Sequence, residues 1–406
     1  MNDPVFMPQE QNESSKESPL NVTDQAHIEN IIPGGKYSRA FGIITIVLFI
    51  GILLSFLVNF GVSTYLGTED LADSYYDGEK HPNIFLADFS NTFYLSKELQ
   101  NSIIKIDYDL FSSLPTSDVI LGTDEFLFPT YEEERGYNYV ADYLGEYKPS
   151  GTELDAYYNG IKELTEEYKR LGADIFFIII PNSQTVYSDK IPDFMGKISN
   201  DTRLKSVTRY FGKRGVSNYL DLTDALISAK EQGELYNNTE DSLNSRGAYY
   251  TYLAVLERLP KEIKSQLNVI ELTDTDLVKH TTAGKSLARK AYLEDKIQNR
   301  TVSLSGDFVQ KYEILLRYDD YEMTFAKMQY KSELPENPRI QLQFSSDWDR
   351  ILMIDYFSNT FGRTICCLSP AVSQNVIKTT DPDYVFCFIH EKDLDMLIDG
   401  SLMPQN

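Results

Sequence analysis

Histidine and cysteine, which proteins often use as metal ligands and in catalysis, are few and scattered in this sequence. The four histidines are His27, His81, His280 and His390, and no two of them are spaced to bind one metal ion. The three cysteines lie in the apolar runs TICCL and YVFCFI, which predicts buried thiols and no disulfide framework. The sequence therefore predicts no metal site and no cofactor.

The charge of the chain excludes one class of function. It has 61 Asp and Glu against 38 Lys and Arg, a formal net charge of −23, and so lacks the basic surface that neutralises phosphates. The same charge disfavours adhesion to an anionic membrane surface. Hydrophobic residues make up 42% of the chain, as in a packed globular protein. We therefore expect a folded protein without a nucleic-acid partner.

One segment has the length and polarity of a membrane-spanning helix. Residues 40–66 are 27 consecutive residues without a charge, and about 20 apolar residues cross a bilayer core. Basic residues precede the segment and acidic residues follow it, which predicts a cytoplasmic N-terminus. We expect a disordered cytoplasmic tail (1–38), a transmembrane helix in the lipid bilayer (39–66), a connector (67–117) and an extracytoplasmic domain (118–406).

Beyond the connector, the sequence alternates between helical periodicity and short apolar runs. Residues 151–171 repeat apolar side chains at helical spacing and lead into DIFFIIIP at 174–181, a run typical of a strand buried on both faces. A stretch at 266–345 resembles a β-rich insertion, after which RILMID, TICCLS and DYVFCFIH resume the alternation. This pattern predicts a parallel sheet with helices on both faces. It also predicts that RILMID is a strand and that the next helix begins near Ser358.

Six segments in this order resemble the SGNH-hydrolase-like proteins: VILGTDEFLF, IIIPNSQTVYSDKIP, YLDLTDAL, LYNNTEDSLNSRGAYYTY, LSGDF and RILMIDYFSNTF. Within that superfamily the chain is similar to the alginate O-acetyltransferases (AlgX/AlgJ-like proteins) and to their Firmicute relatives with a D-H-H-W motif. The resemblance covers about residues 118–398. It implies a flavodoxin-like three-layer α/β domain that moves acetyl groups onto or off exopolysaccharide hydroxyls in a bacterial cell envelope.

The resemblance also implies where catalytic residues would stand. The active relatives take His and Asp from a D-x-H-W segment that precedes a helix beginning with Gly-Ala. Counting back from Gly247 puts Glu240 where the family has Asp, Ser242 where it has His and Leu243 where it has Trp. The chain therefore departs from the family pattern at all three positions.

The family nucleophile is a serine in a G-D-S-F turn after a buried strand. In RILMIDYFSNTF, Tyr356 stands at the nucleophile position, with Asp355 before it. Asn182, in the PNS turn after the buried run at 174–181, matches a position where relatives keep a polar residue. Asn182, Asp355 and Leu243 are therefore candidates for ligand binding. For Asn182 the alternative is that its side chain simply closes the turn.

These replacements weaken the case for the family reaction. A hydroxyl at Ser242 lacks the proton affinity of imidazole, and the phenol of Tyr356 stays protonated, with a pKa of about 10. Loss of one member of a Ser-His-Asp triad already costs several orders of magnitude in rate. His390 ends the last apolar run and could approach the same edge of the sheet. A single histidine at a strand end is more often structural or solvent-exposed than catalytic.

Three hypotheses remain open. The sequence favours a non-catalytic, membrane-tethered SGNH-like protein that binds a glycan or a partner protein in cell-envelope or exopolysaccharide modification. The alternative is an active polysaccharide O-acetyltransferase or acetylesterase with a rearranged site, in which His390 or Glu240 is the base. The third is a purely structural envelope protein whose cleft is filled by the side chains of Tyr356 and Leu243.

Overall fold

The computed structural model describes residues 50–51, 102, 104–106, 108–110, 114, 118–133, 135–273, 275–306, 312–320, 325–332, 338–367 and 369–405. The chain divides into two compact units, Met1–Gln100 and Asn101–Asn406. The predicted cytoplasmic tail, all of the predicted membrane span except residues 50–51, and most of the connector lie outside the described residues. Within the part of the chain that is described, no helix is long and apolar enough to cross a membrane.

The second unit is an α/β domain. In chain order, its described strands are β1 (Val119–Leu121), β2 (Leu127–Pro129), β3 (Tyr131–Glu132), β4 (Tyr137–Asn138), β5 (Asp174–Ile180), β6 (Tyr219–Asp221), β7 (Leu277–Thr282), β8 (Asn299–Leu304), β9 (Tyr312–Asp320), β10 (Phe325–Ser332), β11 (Arg339–Phe344), β12 (Arg363–Cys367) and β13 (Tyr384–His390). Its described α-helices are α1 (Tyr139–Leu144), α2 (Gly151–Arg170), α3 (Ser183–Val186), α4 (Arg203–Arg214), α5 (Thr223–Ala229), α6 (Ser245–Arg258), α7 (Lys261–Lys264), α8 (Ser286–Lys290), α9 (Asp347–Ser358) and α10 (Gln374–Thr380). A 3₁₀-helix, Glu391–Leu397, follows β13 directly.

Most elements expected from hydrophobic periodicity are confirmed. The helix expected at 151–171 is α2, which begins after Ser150 with a capping box, in which Ser150 and Glu153 each accept a hydrogen bond from the other's backbone. The buried run at 174–181 is β5, and the last two apolar runs are β12 and β13. Long periodic helices and continuous apolar strands are thus visible in the sequence alone.

The main sheet is mixed, with the strand order β6-β5-β13-β11-β12-β10-β9 within the described residues. The first five strands run parallel, and β10 and β9 add an antiparallel hairpin at one edge. Numbered along the chain, the parallel strands have the spatial order 2-1-5-3-4, whereas a flavodoxin-like sheet has 2-1-3-4-5. The flavodoxin-like expectation is therefore wrong in strand order, because buried apolar runs do not reveal which strands are neighbours.

Alternate residues of the parallel strands enter two different cores, one on each face of the sheet. On one face, strand residues such as Leu342 and Phe388 pack against α6 and α9. On the other face, residues such as Phe177 and Ile389 pack against α2, α4 and α10. Both faces are therefore covered by helices, as expected for a largely parallel sheet.

The segment RILMID at residues 350–355 is helical, so its prediction as a strand is wrong. It lies inside α9, where Met353, Tyr356 and Phe357 are fully buried at helical spacing while Ile351 is 48% exposed. A six-residue apolar run cannot by itself distinguish a buried strand from a buried helix. The strand that precedes this helix is β11.

The predicted insertion at 266–345 is also corrected. β7 and β8 form a separate two-stranded sheet, but β9 and β10 extend the main sheet and β11 is one of its inner strands. In the sequence, β11 resembles a peripheral strand because Gln341 and Gln343 alternate with apolar residues. In the structure, both glutamines are fully buried. Tyr168 donates a hydrogen bond to Gln343 Oε1 at 3.0 Å and Thr380 donates one to Gln341 Oε1 at 3.3 Å, so both buried amides are partly satisfied.

Candidate active site at the carboxyl edge of the sheet

Three neighbouring parallel strands end at one edge of the sheet and bring polar residues together. Ile180, the last residue of β5, pairs with His390 at the end of β13, and Phe344, the last residue of β11, pairs with Phe388. The turns that follow β5 and β11 contain Asn182 and Ser346. In open α/β sheets ligands bind outside the carboxyl ends of the strands, so this edge is the candidate site.

His390 is buried at this edge and is paired with a carboxylate from α9. Its Nε2 contacts Asp349 Oδ2, and the two side chains are 5% and 2% exposed. Burial lowers the pKa of His390, but the charge and hydrogen bond of Asp349, helped by Asp393 and Asp241, outweigh burial and raise it to about 8. The side chain expected to be structural or solvent-exposed is therefore a buried imidazole with its own carboxylate.

The loop before α6 contacts the same edge through Asp241. Asp241 Oδ1 accepts a hydrogen bond from the backbone N–H of Ser183, at 3.0 Å, which attaches the loop to the turn after β5. A β-bridge between Tyr236 and Leu243 closes the loop, and Tyr236 donates to the carbonyl oxygen of Pro181 at 2.5 Å. Asp241 therefore provides a half-buried carboxylate near the His390–Asp349 pair.

A second buried acid adjoins the imidazole in sequence. Glu391 Oε2 accepts hydrogen bonds from the backbone N–H of Asn182 at 2.8 Å and from Thr185 Oγ1 at 2.7 Å. Burial, with the nearby charge of Asp142, raises the pKa of the Glu391 carboxyl to about 8. The fold thus places a carboxyl group that holds a proton near neutral pH next to His390 in the chain.

Arg203 connects the 3₁₀-helix after β13 to α1. Its guanidinium donates to the backbone carbonyl of Glu391 at 2.8 Å and to Asp395 Oδ2 at 3.0 Å, and it lies 3.6 Å from Asp142 Oδ2. Tyr137 bridges Asp142 and the Asn182 amide, because its hydroxyl donates to the former and accepts from the latter. The 3₁₀-helix after β13 is therefore anchored to α1 and α4 by a buried polar network.

The structure separates the residues predicted from the D-x-H-W resemblance. Glu240 faces α8, where burial raises the pKa of its carboxyl and Lys285 and Arg289 partly offset that rise. Ser242 Oγ accepts a hydrogen bond from Asn237 Nδ2 at 3.0 Å, within its own loop. Neither side chain is bonded to His390. Leu243 is fully buried in the core beside α6.

Tyr356 does not lie in a strand-to-helix turn. It is near the end of α9, fully buried, and its hydroxyl donates to the backbone carbonyl of Ser245 at 2.8 Å. Burial, with the charge of Asp355, raises the pKa of the Tyr356 phenol well above its ordinary value. The prediction that Tyr356 stands at the nucleophile position, with Asp355 before it, depended on RILMID being a strand. Because RILMID is helical, that premise is wrong.

The Gly-Ala pair used to align the loop has a clear structural reason. A Cβ atom at Gly247 would lie 2.2 Å from the carbonyl oxygen of Leu235 and 2.8 Å from a methyl of Leu243. Asn244 caps α6 by accepting hydrogen bonds from the backbone N–H of Arg246 and Gly247. The first turn of α6 therefore packs directly on the loop, and only glycine fits at 247.

The fold and this edge site define an SGNH-hydrolase-like α/β domain. The family model described as SGNH hydrolase-like domain, acetyltransferase AlgX, matches residues 119–325. The chain belongs to this family, which confirms the resemblance predicted from the sequence. No curated protein matches the chain.

Three solved structures are similar to this chain at low sequence identity. The O-acetyltransferase domain of Pseudomonas putida AlgJ is 13% identical, with a TM-score of 0.41 over 71% of this chain and 93% of that one. A DHHW family protein from Eubacterium siraeum is 14% identical, with a TM-score of 0.46 over 71% and 99%. Bacillus cereus PatB1, solved with a sulfonyl adduct, is 13% identical, with a TM-score of 0.48 over 72% and 99%.

Sequence reasoning missed two residues of the site, Ser346 and Asp349. Ser346 is the N-cap of α9 and Asp349 lies in its first turn, so the true strand-to-helix turn follows β11. The pattern Ser-x-x-Asp after RIQLQF is a helix-start signal that could have located this turn. Among the described residues, no group of three or more His, Cys, Asp or Glu side chains is arranged to hold a metal ion.

Proposed function

We propose that this protein transfers or hydrolyses acyl esters, most simply O-acetyl groups on an envelope glycan, with Ser346 as nucleophile, His390 as base and Asp349 as the supporting carboxylate. The observation that carries the proposal is the register of β11 and β13, which brings Ser346 to the same edge of the sheet as an imidazole already paired to a carboxylate. This arrangement is a rearranged Ser-His-Asp site, recognised by roles and geometry instead of sequence position.

The alignment follows from strand geometry. Phe344 and Phe388 are paired, and their rings stack with centroids 4.9 Å apart. Ser346, two residues further on, has an extended backbone, with φ −129° and ψ 132°. Two residues beyond the stacked rings, Ser346 after β11 and His390 at the end of β13 therefore lie at the same edge of the sheet.

One backbone hydrogen bond and one hydrogen bond to a side chain join the two strands past Phe344. The N–H of Ser345 donates to the carbonyl oxygen of Phe388 at 3.0 Å, and the N–H of His390 donates to Ser345 Oγ at 3.2 Å. Ser346 is half-buried, and its hydroxyl does not cap α9. Ser346 and His390 are not hydrogen-bonded to one another, and in ligand-free enzymes catalytic hydrogen bonds often tighten only when substrate binds.

The proposed reaction uses these groups in two steps. Ser346 Oγ attacks the ester carbonyl carbon and gives its proton to the imidazole of His390, which then protonates the departing alkoxide. Because Asp349 holds Nε2, the nitrogen that accepts the proton is Nδ1. The acyl-serine is then attacked by water or a sugar hydroxyl, whose proton passes through the imidazole back to Ser346.

The negative charge that develops on the carbonyl oxygen of the ester needs hydrogen-bond donors, in addition to the base that His390 provides. Ser346 is the N-cap of α9, and the first backbone N–H groups of a helix have no partner within the helix. They therefore offer hydrogen bonds to an oxyanion formed at Ser346, and the dipole of the twelve-residue α9 favours negative charge there.

The test is covalent labelling together with turnover of a chromogenic acetyl ester by the full chain in detergent. We expect a fluorophosphonate to add to the peptide that contains Ser346, and Ser346→Ala to lower ester turnover by at least about 100-fold. Ser242→Ala is the matched control, because it removes a serine hydroxyl from the loop that contacts the same edge, and it should retain turnover. Turnover that survives Ser346→Ala but not Ser242→Ala would overturn the proposal.

The non-catalytic hypothesis stays as a second candidate. It is favoured by the hydrogen bonds of Ser242 to Asn237 and of Tyr356 to Ser245, which give structural uses to both positions aligned with family catalytic residues. It predicts no ester turnover and no labelling by the purified protein, together with retained binding of a glycan or partner. The experiment above therefore separates the two candidates.

We also propose that the protein is anchored in the cell membrane by residues 39–66, with a cytoplasmic N-terminus and an extracytoplasmic catalytic domain. The support is the uncharged run at residues 40–66 with basic residues before it and acidic residues after it. In this position the site would face envelope or exopolysaccharide glycans.

A further inference from the structure

Two buried oxygen atoms beside His390 have no hydrogen-bond donor. They are Asn182 Oδ1 and Asp349 Oδ1, on residues that are 4% and 1% exposed. Asn182 follows β5, whose last residue pairs with His390, and Asp349 contacts the imidazole directly. Buried acceptors without a partner are rare and costly, so these atoms indicate where donor groups of a bound molecule would lie.

The charges around the imidazole are predominantly negative. Asp349, Asp393 and Asp241 all act on His390, and Asp241 is half-buried on the loop that contacts the edge. Asp241 accepts from a backbone N–H and not from a cation, so its negative charge is not neutralised by that contact. An anionic ligand would meet this carboxylate at close range.

Three cations near this edge, among the residues that the structure describes, are paired with acids. Arg135 is paired with Asp393, and Lys392 with Glu132. The third, Arg203, lies between Asp142 and Asp395, as described above. Lys197 lies 4.4 Å above the ring of Tyr143 and within electrostatic reach of Glu391. A carboxylated ligand that used Arg135, Lys392 or Arg203 would therefore have to displace an existing ion pair.

We infer that the acceptor of the proposed acyl transfer is a hydroxyl of a neutral or amino sugar and not of a polyuronate. The inference rests on the proposed function, because it concerns the second step at the same serine. In that step the sugar O–H proton passes to His390, the sugar oxygen bonds to the acyl carbon, and Ser346 Oγ leaves with that proton. Further hydroxyl or ammonium groups of the sugar donate to Asn182 Oδ1 and Asp349 Oδ1.

The experiment compares three acceptors of equal length with the full chain, using 4-nitrophenyl acetate as donor. The acceptors are a β-1,4-glucan pentamer, a glucosamine pentamer and a mannuronate pentamer, and acetylated product is measured by mass spectrometry. We expect at least 10-fold more product from the glucan and glucosamine pentamers than from the mannuronate pentamer. Equal or greater acetylation of the mannuronate pentamer would overturn the inference.

Substitution of Asp241 tests the cause of the discrimination. Asp241→Asn keeps an oxygen that can accept from Ser183 N–H but removes the charge, so we expect the glucan-to-mannuronate ratio to fall about 3-fold or more. Asp174→Asn is the matched control, because this exposed acid begins β5 at the opposite edge of the sheet, and it should leave the ratio unchanged. An identical response of the two variants would contradict the electrostatic cause.

Failure of the proposed function can be told apart from failure of this inference. Calorimetric binding of the same three pentamers to the full-chain Ser346→Ala variant requires no turnover. Preference for the neutral and amino pentamers supports the acceptor class even if no ester is cleaved. Tighter binding of the mannuronate pentamer, or no binding of any pentamer at 10-millimolar concentrations (about 2.7 kcal/mol of affinity), overturns it.

Discussion

At the scale of single residues, two adjacent buried groups hold protons near neutral pH for opposite reasons. His390 retains its proton because Asp349 and further carboxylates outweigh the cost of burial. Glu391 retains its proton because burial and nearby acids disfavour its charged form. The first group is charged and the second is neutral when protonated, so the two make different predictions for activity and for stability.

The first prediction concerns the pH dependence of ester turnover. A protonated imidazole cannot act as base, so the rate should rise about tenfold per pH unit up to the pKa of about 8 and level off above it. Asp349→Asn should lower the rate by about 100- to 10,000-fold and move the midpoint of the rise to lower pH, because the charge that raises the pKa is removed. A pH–rate profile of both proteins measures this, and an unchanged midpoint would rule out the His390–Asp349 pair as the base.

The second prediction concerns stability. The folded-state pKa of Glu391 is raised above its unfolded value near 4.5, so the wild-type free energy of unfolding should fall as pH rises from about 4.5 through about 8. Glu391→Gln keeps an oxygen that can accept from Asn182 and Thr185 but cannot ionise. We expect it to be more stable than wild type by roughly 1 kcal/mol or more at pH 9, with little difference at pH 4.

Urea unfolding at several pH values measures the effect of Glu391→Gln. Glu163→Gln is a suitable control, because this acid is exposed on α2. It should show no such trend. A stability gain that is constant from pH 4 to pH 9 would contradict the assigned cause.

At the scale of elements, the position of α9 determines which residues form the candidate site. Assignment of RILMID as a strand placed the nucleophile turn at Tyr356, whereas the helix begins at Asp347 and places that turn at Ser346. The side chain of Tyr356 instead stacks with Tyr252 in the core between α6 and α9, with ring centroids 5.7 Å apart. The geometry of one helix thus changes which residue can act as nucleophile.

The third prediction follows for a variant designed from the sequence alignment. Restoring the aligned triad with Tyr356→Ser, Ser242→His and Glu240→Asp should yield no new ester turnover, because position 356 is buried inside α9. Removing the buried aromatic ring should lower the free energy of unfolding by about 3–5 kcal/mol. Tyr356→Phe, the control, loses only the hydrogen bond to Ser245 and should cost about 1 kcal/mol. Ester turnover and urea unfolding test both statements.

The fourth prediction concerns the packing of α2 on the 3₁₀-helix after β13. A Cβ atom at Gly160 would lie 2.0 Å from the carbonyl oxygen of Leu397, so Gly160→Ala should destabilise the domain by about 1–3 kcal/mol despite better helix propensity. Gly212→Ala in α4 is the matched control. Nothing lies within 4 Å of its added carbon, and we expect it to stabilise the domain by up to about 1 kcal/mol. Thermal unfolding compares them, and equal shifts of the two variants would contradict the close approach.

At the scale of the whole molecule, the polar tail, the uncharged run and the acidic domain predict an anchored protein. The fifth prediction is that the full chain sediments with membranes and resists extraction by carbonate, whereas a chain without residues 1–66 stays soluble. Protease added outside spheroplasts should digest the large domain but leave a tag on the tail intact. A tag that is digested first would reverse the predicted orientation.

Much of the fold could be predicted because its signals are local. The helical spacing of 151–171 and the continuous apolar runs at 174–181 and at the C-terminus each correspond to observed elements. Motif order likewise identified the family. The position of the β11–α9 turn could not be predicted from the sequence. The glutamines of β11 are typical of a peripheral strand, and the apolar run inside α9 is also typical of a buried strand.

The sequence by itself determined the uncharged run, the acidic charge, the alternation of helices and strands, and the family. Only the tertiary structure decided which strand ends share one edge of the sheet. Ser346 follows β11 and His390 ends β13, and these two strands, which are separate in the chain, pair in one register. Periodicity records which side chains are buried, but the order and register of buried strands depend on long-range packing, which no local pattern encodes.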